Sequence, residues 1–163
     1  MRIKRLFFAL LSAAIICISG CSGGLTADKL TITLNGETVS KPLTAEKLGE
    51  GYSVGNFLLK YDGEPVAGVT YTEKTADREE SKRELRSLVV GANSGAEGCT
   101  LSVNGITLGS ASSEALEAFG EPSAKEDGMW FYRERGKPEG ESFLGMRFDD
   151  SDTVTWLYVR VDT

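Results

Sequence analysis

Three cysteines, a cluster of aspartates and no histidine bound the chemistry open to this 163-residue chain. Without His, the commonest general base and metal ligand is missing. No glycine-rich loop is followed by Lys-Ser or Lys-Thr. Asp149, Asp150 and Asp152 in "DDSD" have the residue types for a calcium ion or an acid–base pair. They lack the later Gly and Glu of a calcium loop, so a polar hairpin tip is the simpler reading. The residue inventory therefore points away from an enzyme, and no cofactor or metal is expected. Of the cysteines, Cys99 sits in the alternating "CTLSV", with no basic neighbour to lower its pKa. It is expected to be buried and inert.

Cys21 is different because of what precedes it. "MRIKR" is basic, "LFFALLSAAIICI" is apolar but short for a bilayer span, and Ile18-Ser19-Gly20-Cys21 follows. This order resembles the lipobox of bacterial lipoproteins. The resemblance implies diacylglyceryl attachment at Cys21, cleavage before it, and a membrane-anchored protein on the extracytoplasmic side. Two acyl chains, at about 0.8 kcal/mol per buried methylene, make a lasting anchor. Cys17 would leave with the signal and Cys21 would carry lipid, which leaves Cys99 without a partner for an internal disulfide.

Residues 1–20 hold three basic side chains and no acidic one. The remainder carries 15 Lys and Arg against 24 Asp and Glu, a net charge of −9. That balance argues against nucleic acid and against charge-driven binding to anionic headgroups. The remaining length suits one compact domain or two small fused units.

The elements that must position these residues are mostly strands. "KLTITLNG" alternates Leu30, Ile32 and Leu34 with threonines and ends in an Asn35-Gly36 turn. "PLTAEKLGEG" reads as a short helix with Thr44 as N-cap and Gly49 or Gly51 as stop. "NFLLKYDG" and "PVAGVTYTEK" are two strands joined at Asp62-Gly63. "ADREESKRELR" has mixed charges and reads as a solvated connector. "SLVVGA" is a further strand. A second helix is expected after Ser110 or Ser112, with Ala115, Leu116 and Phe119 on one face and Gly120 and Pro122 as its stop. "GMWFYRE", "SFLGMRFD" and "TVTWLYVRVD" follow as strands.

The chain also repeats itself. "CTLSVNG" aligns with "LTITLNG" at an offset of 69 positions, so that Asn35, Gly36 and Thr38 match Asn104, Gly105 and Thr107. A duplication would place a lipoprotein signal at 1–20, a lipidated Cys and tether at 21–27, and α+β units at 28–98 and 99–163. The second unit, with Gly109, Ser112, Glu114, Leu116, Gly120 and Pro122, resembles the small lipoprotein domain of the SmpA/OmlA type. It also resembles each half of β-lactamase inhibitory protein and certain lipoproteins of Gram-positive bacteria. The resemblance implies an α+β fold of two related units, each a short helix on a small antiparallel sheet. It brings no catalytic residue with it.

Strand alternation then separates two faces. Leu157, Val159 and Val161 oppose Val154, Trp156, Tyr158 and Arg160. If aliphatic residues face the helix, then Trp130, Tyr132, Arg147, Trp156, Tyr158 and Arg160 face outward. Trp, Tyr and Arg are the types most enriched at binding hot spots. The expected role is non-enzymatic: binding or scaffolding an envelope protein on this aromatic face. Capture of a glycan or peptide, or a purely structural part in the envelope, stays open. So does the possibility that the first unit covers the face.

Overall fold

In the computed structural model the described residues are 25–91, 100–134 and 142–162. The lipobox, Cys21 and Cys99 lie outside them. Among the described residues no helix is long and apolar enough to cross a membrane.

Tight turns organise the chain. Asn35-Gly36, Asp62-Gly63, Asn104-Gly105 and Asp127-Gly128 all place two successive residues at positive φ. That backbone suits two-residue hairpins whose twist matches the flanking strands, and Asn/Asp-Gly adopts it at low cost. Among the described residues eleven strands form: β1 (Ile32–Leu34), β2 (Glu37–Thr38), β3 (Tyr52–Gly55), β4 (Leu58–Tyr61), β5 (Glu64–Tyr71), β6 (Leu85–Gly91), β7 (Leu101–Val103), β8 (Ala124–Glu126), β9 (Met129–Arg133), β10 (Ser142–Phe148) and β11 (Val154–Arg160). The protein is α+β with the sheets dominant. Strands β3 and β8 were not expected; each is short and is defined only by its pairing. The connector before β6 forms two short 3-10 turns, Glu73–Thr75 and Glu80–Lys82.

Among the described residues two α-helices complete the fold. In α1 (Ala45–Leu48) the Thr44 side chain accepts from the Lys47 amide, as expected. In α2 (Ser112–Phe119) the N-cap is Ala111, not Ser110 or Ser112. The Glu114 carboxylate takes over, accepting from the Ala111 amide at 2.7 Å, while the Ser110 hydroxyl accepts from the Thr107 amide in the preceding turn. Gly120, at φ +73°, ends α2 as expected.

The two copies of the repeated phrase meet. β1 and β7 are antiparallel neighbours in a three-stranded sheet ordered β2-β1-β7. Thr33 and Ser102 are opposite each other, hydroxyl to hydroxyl at 2.7 Å. The Asn35 amide donates to the Thr100 carbonyl, and the Asn104 amide donates to the Thr31 carbonyl. The offset of 69 positions carries one bond onto the other, Asn35 onto Asn104 and Thr31 onto Thr100.

The second sheet has eight strands in the order β3-β4-β5-β6-β11-β10-β9-β8, antiparallel throughout. β6 and β11 pair at its centre, with Val89 opposite Tyr158. One face of this sheet is packed. Leu59, Leu88, Leu144, Met146, Leu157 and Val159 are fully buried there, in one cluster with Ile32, Leu34, Leu101 and Val103 of the small sheet and Ala115 and Phe119 of α2. A register shift between Ser142 and Leu144 lets consecutive residues Phe143 and Leu144 both be buried.

Candidate functional site

The other face of the large sheet carries no packed element among the described residues. Its floor is one continuous row of partners across all eight strands. In spatial order the row reads Gly55, Leu58, Gly68, Val89, Tyr158, Gly145, Phe131 and Ala124. Small and large residues alternate outward from the central Val89–Tyr158 pair, in the same sequence on both sides. A second row places Met129, Arg147, Trp156 and Gly91 together.

Gly145 and Gly91 decide how Trp156 sits. A Cβ on Gly145 would stand 3.3 Å from Trp156 Cζ3, and one on Gly91 would stand 3.5 Å from Trp156 Cδ1. The indole therefore lies across its own strand, with one edge over each flanking glycine, instead of projecting from the sheet. Tyr158 lies parallel to it, with ring centroids 6.1 Å apart and planes 9° from parallel. Phe131 approaches Gly145 from the far side. Burial pushes the Tyr158 hydroxyl above its ordinary pKa, against the pull of Arg160 and Arg86.

Arginines edge this aromatic strip. Arg147 is exposed and donates to Met129 Sδ at 3.4 Å. Arg160 grips Asp162 with two nitrogens, at 3.0 and 3.2 Å. Arg133 lies 5.6 Å from the Phe131 ring centroid. Of the six residues expected on this face, Arg147, Trp156, Tyr158 and Arg160 are together on it.

Trp130 and Tyr132 are not. β9 has the opposite parity from the one expected: Tyr132 is opposite the buried Leu144 and Phe131 is opposite Gly145. Tyr132 is 2% exposed. Its ring packs on Phe119 at 5.5 Å, and its hydroxyl donates to the Gly120 carbonyl at 3.0 Å. It satisfies an orphan carbonyl at the end of α2, which a residue on the open face could not reach. Trp130 is half-buried on the helix side, 4.5 Å from Phe148, with the Lys125 ammonium 4.4 Å from its ring. Phe131, Met129 and Arg133 take their places on the open face. Gly145 was the available signal, since a large residue on a neighbouring strand needs a small partner.

"DDSD" forms the β10–β11 hairpin tip. The Asp149 carboxylate accepts from the Ser151 and Thr153 amides at 2.9 and 3.0 Å, so it serves its own turn. Among the described residues no group of three acidic or thiol side chains is placed to hold a metal ion.

No family model, no curated protein and no solved structure matches the chain.

Proposed function

We propose that this chain is a lipoprotein of two related α+β units, anchored through Cys21, whose open sheet face binds another protein. The duplication reading is supported by reciprocity. The amide of each copy's Asn reaches the equivalent threonine carbonyl of the other copy, and the alternation of the eight-strand row runs the same way from its centre to both edges. Those features also agree with the resemblance to the SmpA/OmlA type and to the halves of β-lactamase inhibitory protein.

One observation carries the binding reading. Phe131, Trp156 and Tyr158 form an aromatic strip on a face that no described element covers. Large aromatic surfaces left uncovered mark interaction sites, and rings held flat lose little entropy when a partner arrives. Arg147 and Arg160 edge the strip, the arrangement seen around binding hot spots.

The test compares Trp156→Ala with Val159→Ala in capture experiments from envelope extracts and in denaturant unfolding. Trp156→Ala is expected to lose specific partners at about 2 kcal/mol or more of binding while unfolding near the parent. Val159→Ala, in the core, is expected to lose stability. The reading fails if Trp156→Ala keeps every captured protein or unfolds as readily as the core variant.

A further inference from the structure

Resting on that reading of the face, we propose that the half of it built from β8 to β11 receives an acidic, carboxylate-rich segment of the partner protein. The chain beyond residue 20 has a net charge of −9. Its open face has the opposite bias. The register turns Lys60, Arg133, Arg147 and Arg160 outward from the eight strands, and among acidic strand residues only Glu126. Asp162, just past β11, is held by Arg160 and lies 3.6 Å from Arg86. An acidic protein with one uncovered sheet face on which cations outnumber carboxylates attracts negative charge to that face.

The arrangement also favours carboxylates on a polypeptide. Arg147 is directly opposite Trp156, is exposed, and has no ion pair among the described residues. Arg133 donates through Nε to the Ser142 hydroxyl at 3.3 Å, and its ion pair with Glu126 is long, at 3.9 Å. Arg160 already demonstrates the local geometry, a two-nitrogen grip on one carboxylate. These guanidinium groups do not converge on one point, as they would around a single phosphate. They are spread over β9, β10 and β11, with Phe131, Trp156 and Tyr158 between them. That pattern fits a segment in which acidic side chains are interspersed with apolar ones.

The experiment uses the full chain purified in non-ionic detergent. Three probes are titrated: a short synthetic peptide of Asp and Glu with interspersed Leu, its Asn/Gln counterpart, and inorganic polyphosphate. The acidic peptide is expected to bind, and to bind more weakly as salt rises, because exposed charges are screened. Arg147→Glu should weaken it by about tenfold or more with an unchanged unfolding midpoint, the scale of losing an exposed charge-assisted contact and gaining a repulsion. Lys47→Glu, on α1 at the packed side of the molecule, should leave binding unchanged. Equal binding of the Asn/Gln peptide, or an equal effect of Lys47→Glu, overturns the proposal. So does Arg147-dependent binding of polyphosphate without binding of the peptide, or self-association of the chain that Arg147→Glu abolishes. If Trp156→Ala loses its partners but none of these charge effects appears, the face still binds protein and only its acidic preference is wrong.

Discussion

The two halves of the open face share a scaffold and differ in what stands on it. Gly68 and Gly145 both flank the central Val89–Tyr158 pair. A Cβ on Gly68 would make only ordinary contacts with Val89, at 3.8 Å, whereas one on Gly145 would press on Trp156, at 3.3 Å, with Phe131 in ordinary contact at 3.6 Å. Beside Gly68 stand Thr70 and Ser87, joined hydroxyl to hydroxyl at 2.6 Å. Beside Gly145 stand Arg147, Trp156 and Tyr158. Turns, register and buried aliphatics thus repeat, while exposed side chains diverge. What is shared sets the backbone, and what differs is where recognition chemistry can be placed.

The largest expected effect probes what the halves share. Leu88 and Leu157 are related by the same offset as the repeated phrase, and both are fully buried. Leu88→Ala and Leu157→Ala should each cost about 2–5 kcal/mol in denaturant unfolding, from lost transfer energy plus a cavity. Similar losses in a single transition would mean that one cooperative core spans both halves. A small loss at only one position would mean that the two halves pack differently.

A sharper contrast comes from the glycines. Gly145→Val should cost about 1–3 kcal/mol, because overpacking would push Trp156 and Phe131 off the sheet. Gly68→Val, where an added Cβ meets only ordinary contacts with Val89, should stay within about 0.5 kcal/mol, as surface changes do. Equal effects would contradict the flat placement of Trp156.

Much of this contrast could be read in the residues, and its limits are physical. Asn-Gly and Asp-Gly turns declare themselves locally, so the hairpins at Asn35-Gly36 and Asp62-Gly63 were expected. Alternation in "TVTWLYVRV" correctly separated Trp156 and Tyr158 from Leu157 and Val159. It could not orient β9, because Met129, Trp130, Phe131 and Tyr132 are all apolar or aromatic and either parity looks amphipathic. Only pairing with Leu144 and Gly145 settles it, and pairing is non-local. The bulge at Phe143 hid the parity further, since it breaks the period-2 pattern. The β1–β7 pairing was invisible for a related reason: similar phrases point to a repeat but not to its copies bonding to each other.

The turns give a third comparison. Asn56-Phe57 joins β3 to β4, as Asp127-Gly128 joins β8 to β9, and all four residues have positive φ. Phe57 does so with a bulky side chain, at φ +60°, and is 66% exposed. Gly128→Phe should cost about 1–2 kcal/mol, the penalty for a left-handed non-glycine residue. Phe57→Gly should recover less, because it also removes the ring contact with Tyr71 at 5.9 Å. Thermal unfolding of both variants checks the order. If Phe57→Gly is the more destabilising change, ring packing outweighs backbone strain at that turn.

The smallest effect separates the two tyrosines that lie on opposite faces. Burial raises the Tyr132 hydroxyl well above its ordinary pKa, and Glu121 raises it further. Burial also raises Tyr158. In each case the folded chain holds the proton more tightly than the unfolded chain does. The stabilisation is therefore complete below the unfolded value near 10 and is lost as pH rises through the folded one. Tyr132 also donates to the Gly120 carbonyl, a bond that its phenolate could not make. Tyr132→Phe should cost about 0.5–1.5 kcal/mol at neutral pH, as removal of a buried hydrogen bond does, and should flatten the fall in stability above pH 10. Tyr158→Phe should flatten that fall less, because arginines oppose the shift, and should change neutral stability by no more than about 0.5 kcal/mol. Urea unfolding at pH 7 and again between pH 10 and 11 reads both quantities. If Tyr158→Phe is the costlier change at neutral pH, the hydroxyl on the open face is bonded within the protein and is not left for a partner.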